Sequence, residues 1–408
     1  MPGIRGTVVL VKKGTRASAA GAVGVILAVL VAAGWWVERI SSPSLAADAE
    51  VVADGLPFEA KRLSEGPILR HTMDERLVAE ARRYGYVNVN GPSLIRVPSW
   101  VENPLGRYYL YFAHHKGETI RLAYADRLEG PWNIYAPGVL ELHDSGFTTE
   151  EPETAGPLRS MLDLWRVGTA TEFIALTRVG IAALEGRRTR KEREIAGSDE
   201  TRPHIASPDV LVDHGRREIR MYYHGLVERR LQMSRVAVSP DGLHFRARPE
   251  LIAAPYLRVL KRDGVFYGLA MPGLLYRSED GLTGFRVRSK PLFAANTRHA
   301  ALWAEGDTLY VFYTRVGDAP ERILCSAVDT HSADWDEWMP GPPVEVLRPE
   351  QSWEGAELPI EPSVRGESPI AVRELRDPAI LVEGDRVYLA YAAAGEQAIA
   401  LAELVPRD

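Results

Sequence analysis

From Tyr86 onward the apolar residues fall in short runs rather than at helical spacing. GRYYLYFAHH (106–115), TIRLAYAD (119–126), REIRMYYHG (217–225), SRVAVSPDG (234–242), GVFYGLAM (264–271), LLYRSEDG (274–281), DTLYVFYTR (307–315), ILCSAVD (323–329) and DRVYLAYA (385–392) are rich in β-branched and aromatic residues and bounded by Gly, Asp or Pro, which is the pattern of strands. The runs recur in a fixed order: an apolar opening strand, a charged turn, a strand ending near Tyr, a polar corner, and a strand closing in Ala-Asp, Ser-Pro-Asp-Gly or Ser-Glu-Asp-Gly. Five such units open at PSLIRV (92–97), PDVLVD (208–213), YLRVLK (256–261), HAALWAEG (299–306) and PAILVEG (378–384). Their strands are apolar on both faces, as blades packed between two neighbours must be; a sandwich would alternate polar and apolar. The expected fold is therefore all-β, a five-bladed β-propeller over residues 86–408, with 51–85 as linker and lead-in.

Two segments break the pattern. Residues 17–36, ASAAGAVGVILAVLVAAGWW, form an uncharged run behind Lys12, Lys13 and Arg16, long enough to cross a bilayer at ~20 residues per span. With basic residues on its N-terminal side, it is expected to hold residues 1–50 as a cytoplasmic stub and a transmembrane or signal helix, leaving the propeller periplasmic or extracellular. SLAADA (44–49) offers an alternative cleavage site, so the protein is either anchored in the inner membrane or secreted. Between Phe147 and Arg202, residues 148–202 read as a helical insertion between blades one and two, ending in the basic run Arg187, Arg188, Arg190, Lys191 and Arg193.

The chain has 408 residues, a net charge of -6 and 46% hydrophobic residues, enough to bury a large core and without a field that would draw nucleic acid. Its single cysteine, Cys325, excludes an intrachain disulfide and a thiolate zinc cluster. In a propeller the starts of the innermost strands converge on one axial funnel. Those positions hold Asn88, Asn90 and Ser93 in blade one, His204, Ser207 and Asp209 in blade two, Tyr256 and Arg258 in blade three, Arg298 and His299 in blade four, and Arg376 and Asp377 in blade five. The corners beside them add His114 and His115, His224, then Arg315, Asp318, Glu321 and Arg322, and finally Glu396. SWEGAELPIEPS places Trp353, Glu354 and Glu357 just before blade five, an aromatic beside carboxylates that suits sugar stacking. Burying so many charges has a desolvation cost that a ligand or pairing must offset. Asp241 and Asp280, in Ser-x-Asp-Gly turns, read as structural.

RDPAILVEGDRVYLAYA, ASPDVLVDHGRREIRMYYHG, GRYYLYFAHH with RLAYADRLEGPW, and VAVSPDGLHF resemble the five-bladed β-propeller glycoside hydrolases, the group that includes family 43. That resemblance implies a carbohydrate substrate cleaved by paired carboxylates, with an Asp before Pro in blade one, an Asp in blade two and a Glu in blade three. The chain departs from the pattern: Gly91 precedes Pro92, Ser207 precedes Pro208, and only Asp377, before Pro378, keeps Asp-Pro. The catalytic candidates are thus Asp209, Asp377, Glu321 and Glu354. Substrate contacts are expected from Asn90, His115, His204, His224, Arg258, Arg298, His299, Arg315, Asp318, Trp353, Arg376 and Glu396. The arginines suggest a substrate bearing carboxylate or sulfate, and would equally serve the phosphate of a propeller-type phosphorylase. A non-catalytic glycan-binding propeller is the main alternative, and a propeller docking a protein through residues 148–202 is a third. A structural Ca2+ in the channel could face Asp209 or His299, although no metal motif is present.

Overall fold

The computed structural model describes residues 50–52, 55–152, 201–229 and 231–407. The expected transmembrane or signal helix, and nearly all of the expected helical insertion, lie outside the described residues. Among the described residues no helix is long and apolar enough to cross a membrane.

The strands form five sheets, each antiparallel and each built around four strands. Blade one runs outward from Asn90–Arg96 through Tyr108–Ala113 and Thr119–Ala125 to Asn133–Ile134. Blades two, three and four begin at Ile205–Asp213, Arg258–Arg262 and Thr297–Glu305. Blade five begins at Leu375–Glu383 and continues through Arg386–Ala393 and Ala398–Pro406. Its outermost strand comes from the other end of the domain: Phe58–Arg62 pairs antiparallel with Ala402 to Pro406. The segment assigned to a lead-in is therefore part of the propeller and closes its ring. That segment also holds the helix Glu75–Tyr84, started by Asp74, whose side chain accepts from the Arg76 N–H.

The double-faced apolar strands are explained by five hydrophobic clusters, one between each pair of neighbouring blades. In the fully buried strand Tyr108–Ala113, Tyr109 and Tyr111 pack with Ile219, Met221 and Tyr223 of blade two. The alternating Tyr108, Leu110 and Phe112 pack with Tyr388, Ala390 and Leu401 of blade five. A strand side chain alternates faces with a period of two, so a blade between two neighbours needs apolar residues at both parities. The predicted structural aspartates behave as expected: Asp241 Oδ1 accepts from the Leu243 and His244 amides, and Asp280 Oδ1 from those of Leu282 and Thr283. In the first of these turns Gly242 has φ +78, and a Cβ there would lie 2.7 Å from the Tyr111 hydroxyl. Cys325 is buried in the interface between blades four and five.

Candidate functional site

Four of the five innermost strands begin with the same backbone irregularity. The ladder to the second strand slips between Asn90 and Ser93, Ala206 and Asp209, Arg298 and Ala300, and Arg376 and Ala379. At the slip stands a residue with left-handed backbone: Gly91 (φ 58), Ser207 (φ 50), His299 (φ 44) and Asp377 (φ 50), with Tyr256 (φ 61) just ahead of the strand in blade three. Four of the five are not glycine. Such conformations cost of order 1–3 kcal/mol for ordinary residues and concentrate at functional sites.

These five slots converge. A Cβ on Gly91 would come within 2.8 Å of the Ser207 Cα, so blade one has no room for the carboxylate that the resemblance implied there. The Tyr256 ring lies 5.1 Å from that of His299 and 4.2 Å from that of His224, with His115 at 6.5 Å. His299 Nδ1 stands 3.0 Å from Asp377 Oδ1, at an angle that makes no hydrogen bond, since both Asp377 oxygens lack a hydrogen-bond partner within the protein. Asn90 Oδ1, Ser207 Oγ and both ring nitrogens of His224 are likewise buried without one. The result is a buried chamber of hydrogen-bonding groups closed tightly around an aromatic ring, with Asp377 as its one carboxyl.

Beside it lies a fully buried charge network. Arg376 Nη1 donates to Glu396 Oε1 at 3.0 Å and its Nε to Glu374 Oε2 at 2.7 Å. Glu321 sits 3.6 Å from the Nε of both Arg298 and Arg376. Glu396 also accepts from the Asn88 amide and lies 3.8 Å from His115 Nδ1, while Asn90 Nδ2 is 3.3 Å from the same His115 nitrogen. The two carboxyls nearest the chamber are driven apart. Burial raises Asp377, the negative charge of Glu396 adds to that, and the surrounding arginines only partly oppose it, leaving it at about 6. Burial also acts on Glu396, but His115, Arg376, Arg298 and the Asn88 hydrogen bond outweigh it and hold it below the usual carboxylate range. Burial and the nearby arginines keep His299 neutral, and burial with neighbouring histidines does the same for His224.

Other expected site residues are placed elsewhere. Two residues past the slots stand Ser93, Asp209, Arg258, Ala301 and Ala379, all lining a cavity of about 1140 Å3 that runs on to the far ends of the inner strands. That cavity includes none of Tyr256, His299, Asp377 or Glu396. Asp209 therefore belongs to a floor beneath the chamber, where its Oδ2 accepts from the Val259 N–H at 2.6 Å and its Oδ1 is 3.5 Å from Arg258 Nη1; burial raises its pKa despite Arg258. Glu354 is not in the funnel. It accepts from Arg62 Nε and Nη2 at 2.8 Å, from the Tyr391 hydroxyl at 2.9 Å, and from the Glu350 and Gln351 amides, locking the closing strand to blade five. Trp353 packs against the same interface core, and Glu357 is exposed. Arg315 and Asp318 pair with each other at 3.3 Å at the blade-four corner. His204 is buried, with Nδ1 2.8 Å from the Arg202 carbonyl and its ring 5.9 Å from His224. His114 packs against the rings of Tyr84 and Tyr86 at 4.3 and 5.0 Å. The four arginines expected to receive an anionic substrate are each already paired with protein carboxylates. Among the described residues no group of three or more His, Cys, Asp or Glu could hold a metal ion.

One element of the site was not anticipated. The long connection from blade four to blade five, residues 348–374, crosses the near end of the chamber. Arg298 Nη1 donates to the Val364 carbonyl at 2.8 Å, and Arg298 Nη2 and Arg376 Nη1 each donate to the Gly366 carbonyl at 3.1 Å. The Ser368 amide reaches Glu396 Oε2 at 3.4 Å, and Glu367 accepts from Lys116 and from the Tyr86 hydroxyl of blade one. Under this strap Asp377 and Glu396 are 0% exposed. The length of the connection was the only signal available in the sequence.

No family model matches the chain. Among solved structures it is similar to a GH43 β-xylosidase/α-arabinofuranosidase from a compost microbial metagenome, with 14% identity, 86% of this chain and 95% of that chain covered, and a TM-score of 0.45. It is also similar to a GH43_1 enzyme from Xanthomonas citri, with 13% identity, 85% and 91% covered, and a TM-score of 0.45. In sequence it is 32% identical over 343 residues to the uncharacterized protein R118 of Acanthamoeba polyphaga mimivirus, across 78% of this chain and 84% of that protein. The chain belongs to the same family as that mimivirus protein.

Proposed function

We propose that the chamber is the active site of a glycoside hydrolase-like enzyme acting on a neutral carbohydrate, with Asp377 as general acid and Glu396 as its ionised partner. The observation that carries this reading is that two neighbouring buried carboxyls are driven in opposite directions, Asp377 at the converging strand starts up to about 6 and Glu396 in the adjoining charge network below its ordinary value. Environments that push paired carboxyls apart mark the acid and the base. Asp377 would give its proton to the glycosidic oxygen as that bond breaks. Glu396 would take the proton of the water that attacks the anomeric carbon. Glu321 serves as counter-ion to Arg298 and Arg376. Uncharged acceptors and donors on Asn90, Ser207 and His224, set around Tyr256, match the hydroxyls and apolar face of a sugar ring. The strand-turn rhythm shared with propeller glycoside hydrolases supports the same substrate class.

The missing carboxylates at Gly91 and Ser207 favour a second reading, a glycan-binding propeller that cuts nothing. A panel of neutral p-nitrophenyl glycosides decides between them. Release of nitrophenol by the wild-type protein, lost by a factor of ~10²–10⁴ in Asp377→Asn, is the expected result. Sugar binding by calorimetry without turnover on any of the panel would establish the second reading and overturn the first.

A further inference from the structure

We infer that residues 363–368 are a gate, and that the Gly366 carbonyl occupies the place of a substrate hydroxyl between Arg298 and Arg376. The inference rests on the proposed active site for the identity of what displaces the gate, but not for the gate itself. Three observations lead to it. The chamber groups offered for chemistry have no access to solvent: Asp377 and Glu396 are 0% exposed and His299 3%. The segment covering them is tied to four different blades. Glu367 reaches Lys116 of blade one, Arg365 Nη2 donates to the Ala295 carbonyl ahead of blade four at 3.0 Å while its Nη1 approaches Met271 Sδ of blade three, the Ser363 and Gly317 backbones bond one another across the blade-four corner, and Arg376 of blade five holds Gly366. Finally, the segment enters the site through main-chain groups, the Val364 and Gly366 carbonyls and the Ser368 N–H, rather than side chains.

The third point defines the ligand. Two guanidiniums converge on one uncharged oxygen, each at 3.1 Å. They are neutralised by Glu321, Glu374 and Glu396, so the position carries no surplus positive charge. A sugar hydroxyl can replace a carbonyl oxygen there without a change in charge. A carboxylate or sulfate would bring a negative group against three carboxyls. The gate thus refuses acidic sugars and yields to neutral ones. Opening is set by the buried Glu367–Lys116 pair, both partners of which are 4% exposed along their side chains, because a buried pair that loses one partner is strongly disfavoured.

The test uses the full chain with Glu367→Gln, and Arg365→Ala as a second variant that leaves no buried charge behind. Hydrogen exchange is followed at peptides covering 363–368 and 317, with the blade-one strand Tyr108–Ala113 as internal reference. Exchange in the gate is expected to quicken by about tenfold or more in both variants while the reference strand stays protected. On whichever neutral p-nitrophenyl glycoside the wild type cleaves, KM should fall several-fold with kcat changed less than about twofold, since apparent affinity scales with the open fraction. The matching p-nitrophenyl glucuronide should be cleaved at least about tenfold more slowly by every form. Gate exchange equal to wild type in both variants, or wild-type gate amides that already exchange as fast as an open loop, overturns the gate even if glycosides are cleaved. Faster gate exchange with no cleavage by any form overturns the catalytic reading and leaves the gate standing. Preference for the glucuronide overturns the assignment of the Gly366 position to a neutral hydroxyl.

Discussion

Asp377→Asn should free the protein of a loss of stability that the wild type suffers between pH 4 and pH 8, while removing the proposed activity. The side chain is wholly buried, and Asn tolerates the left-handed backbone, φ 50, that Asp377 adopts, so the substitution adds no backbone strain. What it removes is a charge that the chamber resists. Raising this carboxyl from 3.8 to about 6 corresponds to about 3 kcal/mol at ~1.4 kcal/mol per pH unit. The folded protein keeps the proton to higher pH than the unfolded chain does. The associated stability is therefore fully present below about pH 4 and is lost as pH rises through about 6. The Asn variant does not titrate there. Urea unfolding of both proteins from pH 4 to pH 8 should show the wild type losing about 3 kcal/mol relative to the variant across that range, about 1 M in midpoint at an m-value of roughly 3 kcal/mol/M. Groups that titrate alike in the two proteins cancel in the difference, as does any fixed cost of burying an amide. A pH-independent difference, or a wild type that gains on the variant as pH rises, would refute the reasoning about how the chamber treats this carboxyl.

Three further expectations follow from the same contacts. Glu396→Gln removes the negative charge that helps hold Asp377 up, so the stability lost as pH rises through about 6 in the wild type should be lost at lower pH in the variant; the loss of the buried partner of Arg376 should also destabilise the fold by ~3–5 kcal/mol in urea unfolding. Glu354→Gln should cost ~2–3 kcal/mol of stability by weakening the charge-assisted bonds to Arg62, with kcat of the folded enzyme unchanged; a loss of kcat at full occupancy of the folded state would return Glu354 to the active site. Phe58→Ala, in the closing strand against Trp303, Tyr310 and Phe312 at 5.3–5.9 Å, should lower stability by ~3–5 kcal/mol, read as a drop in Tm, and a smaller effect would mean that the ring is not held shut by this strand.

Much of the architecture was legible in the order of residues because it rests on local rules. A two-residue period with apolar residues at both parities, turns of Ser-x-Asp-Gly type and five recurring units suffice for a five-bladed propeller, and the five inter-blade clusters fulfil that requirement strand by strand. The slots at the strand starts were legible too, through Gly-Pro, Ser-Pro and Asp-Pro, although their shared left-handed backbone was not.

What the sequence could not decide is how groups far apart in the chain divide the space between them. Asp209 and Asp377 each stand close to the start of an inner strand, yet a two-residue offset from the slot puts Asp209 in the floor and Asp377 in the chamber. Glu354, beside a tryptophan and ahead of blade five, was a catalytic candidate, and it is consumed by Arg62, a partner 292 positions away. The closing strand was hidden for the same reason, since its pairing partner is at the other terminus. Burial, pairing and the pKa that results from them are sums over neighbours supplied by all five blades, and only the closed ring determines which neighbours those are.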